Sequence, residues 1–426
     1  MNAPAQPKRI AIITASPPGE NGVGQNYLRD LVKTFDDHHV HVFALLKTQD
    51  EWRAEDRGCV ADYTILDRRY EYPRGVLGGA ISHWTATLAF KLMTVRHAQR
   101  LARQIAAMTV RDGFDAVLLV LESPLLMLIG ESLCRAQAER LQILVWDHPE
   151  HVSAAFGHVG SRKKRLIRAF SKVVSNAASG LTVAEKLQDL LLRLHPALPI
   201  RLFRSPVHAV GPVSRKPSDG GQDLFVIGFA GSVTAPQELE LLQQALDQVE
   251  WNSGGRRLQL RLFGKRFSLA AEVRRNVQYQ GFLPTQDDVI GQLADCDVCF
   301  LPQPFADSSR LVAEYSFPTK LSTYLSSGQP VLVLAPPHAS LARFQQLNEP
   351  SSSGESSLGF YCGSANPSVL ADLIQRISAD AAFYRRGCER AQTCANRYFR
   401  NDVARLNARS ILDPETVGTA SPSQCH

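Results

Sequence analysis

Two stretches of this sequence combine residue types and spacings that suit a bound phosphate. The first is Tyr315-Ser-Phe-Pro-Thr-Lys-Leu-Ser-Thr-Tyr-Leu-Ser-Ser-Gly-Gln-Pro-Val331. Pro318 fits the first position of a helix, which leaves Thr319, Lys320 and Leu321 in the first turn with unclaimed N–H groups. A lysine there opposes the helix dipole, a conflict that a bound anion would remove. Gly328 suits the left-handed residue that ends such a helix, and Pro330-Val331 opens the next strand. The second stretch is Ser16-Pro-Pro-Gly-Glu-Asn-Gly-Val-Gly24, between an apolar strand and an amphipathic helix. Gly22 and Gly24 would let the backbone approach a ligand, and the helix start behind them favours negative charge. The spacing is neither G-x-G-x-x-G nor that of a P-loop, so a plain strand-to-helix turn fits as well.

Three further groups carry chemistry. Asp147-His148-Pro149-Glu150-His151 follows a buried strand, which is where open α/β sheets place ligands. His148 reads as a histidine beside a reacting sugar or as a structural one, and a metal cluster is the least favoured use of this loop. A basic helix over about Arg162–Ala178 carries Arg162, Lys163, Lys164, Arg165, Arg168 and Lys172 beside a stripe of Leu166, Phe170 and Val173. It reads as a domain helix with a solvated basic face or as an interfacial patch for anionic lipid, with Arg96, Arg100 and Arg103 adding to it. No recognition motif accompanies this charge, so nucleic acid is not an expected partner. Cys296 and Cys299 form the one C-x-x-C pair among eight cysteines, and with no second pair they read as core packing in a reducing compartment.

The elements that position these groups are α/β throughout. Arg9–Thr14, Val40–Leu46, Phe114–Leu121, Gln142–Trp146 and Gly180–Val183 are apolar runs of the buried parallel type, separated by helical patterns. Ser205–Gln222 is rich in Pro and Gly and breaks the pattern. It restarts with Leu224–Ala230, the loop Gly231–Ala235 and a helix over Pro236–Val249, then strands at Leu258–Phe263, Val277–Phe282, Val298–Leu301 and Pro330–Ala335. A last helix spans about Asp380–Ile411 with a break near Tyr398, while Asn348–Gly359 and the tail after Leu412 read as less ordered.

The pattern P-x-K-L-x-x-Y-L-x-x-G-x-P-V from Pro318 to Val331 resembles the donor-binding segment of GT-B glycosyltransferases, above all glycosyltransferase family 4. Val277–Gln303, Ile227–Ser232, Leu260–Lys265 and Ser179–Glu185 are similar to other segments of that family. The resemblance covers most of the chain and is specific in its second half. It implies two Rossmann-like domains facing a central cleft: 1–205 on the acceptor side, a linker at 206–222, 223–395 on the donor side, a helix at 396–412 returning to the first domain and a flexible tail at 413–426. It implies a diphosphate against Pro318, Thr319, Lys320 and Leu321, closed over by Gly22 and Gly24, with Gly231 and Ser232 alongside. Gly281 and Phe282 would lie near the base, and His148 or Asp147 beside the sugar or the acceptor.

The departures from the family are also informative. Its usual Glu-x7-Glu corresponds here to Tyr315 and Thr323, with Glu314 one place off. A threonine keeps one hydrogen bond to a ribose but no charge. The family's Arg and Lys are missing from Gly231–Glu238, which leaves Lys265, Arg266, Arg310 and Lys320 as cations for the diphosphate.

The expected activity is sugar transfer from a nucleoside-diphosphate-sugar, with retention of configuration, to a sugar, lipid-linked or small-molecule acceptor in polysaccharide, glycolipid or glycoconjugate synthesis. No cofactor or metal is expected. A nucleotide-sugar 2-epimerase of the same architecture and a degenerate, non-catalytic partner subunit are the alternatives. The totals are those of an ordinary globular protein: 426 residues, 44% hydrophobic, 21% charged, net charge +6. No leader-like or membrane-spanning run is evident, so a cytoplasmic setting is expected, peripheral on the membrane if the basic patch docks there.

Overall fold

A computed structural model of the chain describes residues 6–20, 22–48, 51–52, 54–60, 62–71, 80–208, 224–264, 276–348 and 354–412. Lys265 and Arg266 lie outside the described residues, as do most of the proline- and glycine-rich linker, residues 72–79 and the tail. The chain divides into two compact units, 1–203 with 404–426, and 204–403.

The first unit is built on seven parallel strands: β1 (Arg9–Thr14), β2 (His39–Leu46), β3 (Asp62–Asp67), β4 (Ala116–Val120), β5 (Leu141–Val145), β6 (Ser179–Thr182) and β7 (Ile200–Leu202). Their order is β3-β2-β1-β4-β5-β6-β7, with Ile10 in register with Val40 on one side and Ala116 on the other. Ile10–Ile13, Leu118–Leu121 and Ile143–Val145 are wholly buried because helices cover both faces, which is why these strands read as continuous apolar runs. The chain order reverses between β1 and β4, a position at which open α/β sheets place ligands.

The last described helix, Asn401–Arg409, belongs to this unit from Ala404 onward. Arg405 and Arg409 bind Asp36, and Arg409 also binds Asp37 and the Thr34 carbonyl. Gln142 and Ser179 donate to the Ile411 carbonyl at 2.7 and 2.9 Å, and Lys8 donates to that of Leu412 at 2.8 Å. These partners lie at the starts of the strands, so the segment covers that edge of the sheet, opposite the edge where the loops after β1, β4 and β5 emerge.

The second unit holds β8 (Leu224–Ala230), β9 (Asn252–Ser253), β10 (Arg256–Phe263), β11 (Val277–Gly281), β12 (Val298–Pro302), β13 (Val331–Leu334), β14 (Glu355–Ser356) and β15 (Gly359–Cys362). The order is β11-β10-β8-β12-β13-β15-β14, parallel except for β14, with β9 antiparallel to β10. Of the stretch expected to be less ordered, 349–353 lies outside the described residues, while 354–359 contains β14, which pairs Ser356 with Gly359 at the sheet edge. Cys296 packs against Gly228, where a Cβ would meet its Sγ at 2.7 Å, and Cys299 is buried beside the Ser327 hydroxyl.

Candidate functional site

In the second unit, three neighbouring strands end at glycines in the left-handed region. Gly231 (φ 86°) follows β8, Gly264 (φ 128°) follows β10 and Gly281 (φ 76°) ends β11. The Gly231 N–H donates to the Phe263 carbonyl at 2.9 Å, and the Gly264 N–H to that of Gly281 at 2.7 Å. A Cβ on Gly264 would sit 3.2 Å from the Gly231 carbonyl oxygen, and one on Gly231 would sit 3.1 Å from Lys320 Cε. The turns therefore pack backbone to backbone, and side chains there would be both strained and crowded. Phe282, next to Gly281, is 65% exposed, a free aromatic face at the end of β11.

Lys320 crosses this floor from the start of the helix Lys320–Ser326. Its Nζ donates to the Ser232 carbonyl and lies 4.4 Å from the centre of the Phe229 ring. Burial pushes its pKa down to about 7. Among the described residues no carboxylate pairs with this half-buried amine, a state that an arriving anion relieves.

The helix is placed by buried polar residues to which the sequence had assigned no role. The Tyr324 hydroxyl accepts from the Ala230 N–H at 2.9 Å and fixes the end of β8 just before Gly231. Gln303, after β12, donates to the carbonyls of Ala313 and Ser316 and to Ser340 Oγ, and accepts from the Leu341 N–H at 3.1 Å. That amide sets the loop entering Pro318. Leu321 is wholly buried, and Thr319 caps the helix without a side-chain bond.

The carboxylate and hydroxyl candidates nearby are engaged within the protein. Thr323 Oγ1 accepts from Gln286 at 3.1 Å, and Glu314, nearly buried, accepts from Arg310 at 3.0 Å, one turn away. Gly231, Ser232 and Lys320 are thus in direct contact at the strand ends, with Gly281 bonded to the adjoining Gly264 turn.

In the first unit, the loop after β1 is tied down by a residue that sequence reasoning missed. Glu122, beyond β4, accepts at Oε1 from Thr14 Oγ1 (2.6 Å), the Ala15 N–H (2.6 Å) and the Ser16 N–H (3.0 Å). Burial raises its pKa, against these hydrogen bonds. The legible signal was its place: a carboxylate directly after a buried parallel strand. Further along, Trp52 Nε1 donates to the Pro18 carbonyl at 2.8 Å, and the Glu20 N–H to Asp56 at 3.0 Å. A Cβ on Gly24 would meet Ser16 at 3.0 Å and Trp146 at 3.5 Å, so the glycine sits in close packing between them. Gly22 is extended (φ −164°) and has open space around it.

Trp146 leads into Asp147 and His148, which brings the loop after β5 beside the one after β1. His148 Nδ1 accepts from the Glu150 N–H at 3.3 Å and caps the helix Pro149–Ala155. Glu150 is paired with Lys163 at 2.5 Å, and that bond holds its carboxyl below the usual range. Among the described residues, no three His, Cys, Asp or Glu side chains are gathered as metal ligands.

The basic helix packs as a domain helix. Leu166, Phe170 and Val173 are wholly buried, so the apolar stripe faces the core of its own unit. Arg162 is buried as well, while Arg165 and Lys172 share Glu131. Among the described residues, no helix is long and apolar enough to cross a membrane.

No protein-family model and no curated protein matches this sequence. Solved structures do. A sucrose-phosphate synthase from Thermosynechococcus elongatus aligns over 94% of this chain and 96% of its own, at 15% identity and a TM-score of 0.58. An α,α-trehalose 6-phosphate synthase from Burkholderia multivorans aligns over 98% and 99%, at 12% identity and 0.60. An α,α-trehalose-phosphate synthase (UDP-forming) from Burkholderia xenovorans, in complex with glucose-6-phosphate, aligns over 95% and 100%, at 11% identity and 0.57. At these identities the likeness fixes the fold: the chain has the α/β architecture of GT-B glycosyltransferases, two Rossmann-like units joined in one polypeptide.

Proposed function

We propose that this protein is a glycosyltransferase that uses a nucleoside-diphosphate-sugar, with the donor's diphosphate held by the second unit. The observation that carries the reading is Lys320, a half-buried amine packed over Phe229 and bonded to the Ser232 carbonyl beside the Gly231 turn. Breaking a sugar–phosphate bond develops negative charge on the departing diphosphate. A preorganised cation at that position stabilises it more in the transition state than in the ground state. Pro318, Thr319 and Leu321 shape the same turn, and the exposed ring of Phe282 offers a stacking face for the base. In the first unit, His148 and Asp147 supply polar contacts to the sugar or acceptor, and Gly22 and Gly24 belong to the loop proposed to meet the phosphates.

The finer reading is a divergent member of glycosyltransferase family 4 that retains configuration and builds a glycoconjugate or polysaccharide. Three similar structures are named for the synthesis of sugar phosphates, so sugar phosphates join free sugars and lipid-linked sugars as acceptors to assay. One observation favours a second reading, a non-catalytic partner subunit: the Thr323 hydroxyl is already bonded to Gln286 where the family carries a ribose-binding glutamate.

Thermal shift against UDP, GDP, dTDP, ADP and the matching monophosphates, followed by donor turnover with an acceptor panel, tests the proposal. A ligand that binds only the native state raises its stability by mass action. Stabilisation by one diphosphate and not its monophosphate, with turnover, supports the transferase. The same stabilisation without turnover supports the partner subunit. No stabilisation refutes the diphosphate site.

A further inference from the structure

The first unit contains a cavity of about 310 Å³ beside the basic helix, between Gly160–Asn176 and the helical stretch Ala80–Val95. Its wall carries four cations, Lys91, Arg162, Arg165 and Arg168, together with Phe90 and Val95, and among the described residues no acidic side chain lines it. Arg162 is only 5% exposed, yet its Nε and Nη1 have no hydrogen-bond partner among the described residues, and no carboxylate there forms an ion pair with it. A guanidinium out of water and without a counter-charge is costly, and buried charges are normally paired. Arg165 has Glu131 as a partner, whereas no carboxylate among the described residues pairs with Arg162.

The surface around this cavity is also unusual. Leu88, Leu92 and Met93, on the same helical stretch as Phe90 and Lys91, are each at least 40% exposed, and Val159, at the start of the basic helix, is 49% exposed. An anion-binding pocket with a flanking apolar surface fits an amphiphilic ligand better than a bare ion.

We propose that this cavity is a phosphoryl-binding site, in which Arg162 and Arg165 fork onto a phosphate group and Arg168 and Lys91 complete its neutralisation. The organic part of the ligand lies against Phe90, Val95 and the exposed Leu88 and Leu92. Guanidinium groups suit this task because their donors match phosphate oxygens in pairs. The inference does not rest on sugar transfer: the cavity lies wholly within the first unit, and its test uses no nucleotide.

The test measures binding of inorganic phosphate and pyrophosphate by calorimetry. In parallel it measures co-sedimentation with phosphatidylcholine vesicles, with and without phosphatidic acid. Binding of the soluble anions, or binding to vesicles only when phosphatidic acid is present, supports the site and names the source of the phosphate. Two variants then locate it. Arg162→Met should reduce that binding at least about tenfold, as expected when charge-assisted hydrogen bonds are lost. It should also leave the ligand-free protein as stable or more so, because an unpaired buried charge is removed. A purely structural arginine would instead lower stability on replacement. Should Arg162→Met fail to fold, the more exposed pair Arg165→Gln with Arg168→Gln reads the same loss. Replacing Arg96, Arg100 and Arg103 with Gln, outside the cavity wall, should change binding by less than about threefold. No binding to any probe, or equal losses from both sets of variants, overturns the proposal.

Discussion

Lys320 makes the diphosphate site testable through protons. Its pKa in the free protein is pushed down to about 7 by burial, from an ordinary value of 10.5. A diphosphate beside Nζ would restore the ammonium, so binding should take up a proton whenever free Lys320 is neutral. At pH 7.5 a group of pKa 7 is protonated in about a quarter of molecules, and at pH 8.5 in about 3%. If the bound lysine stays charged, nucleoside-diphosphate affinity falls about eightfold across that unit of pH, about 1.2 kcal/mol. The window lies above the second ionisation of a phosphate, near pH 6, so the ligand's own charge is constant. Calorimetry in two buffers of different ionisation enthalpy should show uptake of about 0.8 proton per site at pH 7.5. Lys320→Met should abolish the uptake and weaken binding.

The free protein should show the opposite side of the same linkage. A lysine whose native pKa is depressed binds fewer protons in the folded than in the unfolded state between about pH 7 and 10.5, so stability rises with pH over that range. Lys320→Met should therefore stabilise the unliganded protein at pH 7, by about 1–2 kcal/mol once its partial exposure is allowed for. Affinity independent of pH, with no proton uptake, would refute the argument: the lysine would then be charged already or would not face the phosphate.

His148→Asn keeps a helix-capping acceptor while removing the imidazole, so turnover should fall at least about tenfold with the melting temperature unchanged, whereas His148→Ala also loses about 1 kcal/mol of capping. Equal turnover in His148→Asn and wild type would leave His148 a capping residue alone. Glu122→Ala strands the N–H groups of Ala15 and Ser16 and should cost about 2–3 kcal/mol in urea titration, while Glu122→Gln keeps the acceptor and should cost less than about 1. Since burial raises the Glu122 pKa above 4.5, ionising it lowers native stability as pH climbs through that region, a dependence that the Gln variant should lack. Gly387→Ala would place a Cβ 2.3 Å from Phe360 Cζ and should destabilise by about 1–3 kcal/mol, read from the denaturation midpoint.

Most strands were legible because each is buried on both faces and bounded by Gly or Pro. Leu224–Ala230 and Val331–Leu334 read as unbroken apolar runs for that reason. Helix ends were legible where a residue has one structural use, as with Pro236 at a start and Gly328 (φ 76°) after an end. The short edge strands were not: Glu355-Ser356 has neither apolar alternation nor length, and its order comes from pairing with β15. The basic helix shows a different limit. Periodicity marks an apolar face but not what covers it, and Leu166, Phe170 and Val173 turned out to face their own core.

The candidate site divides along the same line. Lys320 stood out because its charge conflicts with its own helix, a local fact. Glu122 and Tyr324 did not, because what they hold lies 108 and 94 residues away, and it is backbone or hydroxyl rather than a matching charge. Such partners leave no periodicity; only a polar residue directly beyond a buried strand, or a tyrosine inside an otherwise apolar turn, hints at them. Thr323 applies the same reasoning to function. Read alone, it is a glutamate position that has lost its charge. Bonded to Gln286, it has become part of a helix-to-helix contact. A ribose seated there must either accept a hydrogen bond from Gln286 or displace it, so Gln286 rather than Thr323 is the residue whose replacement should alter the choice of nucleoside.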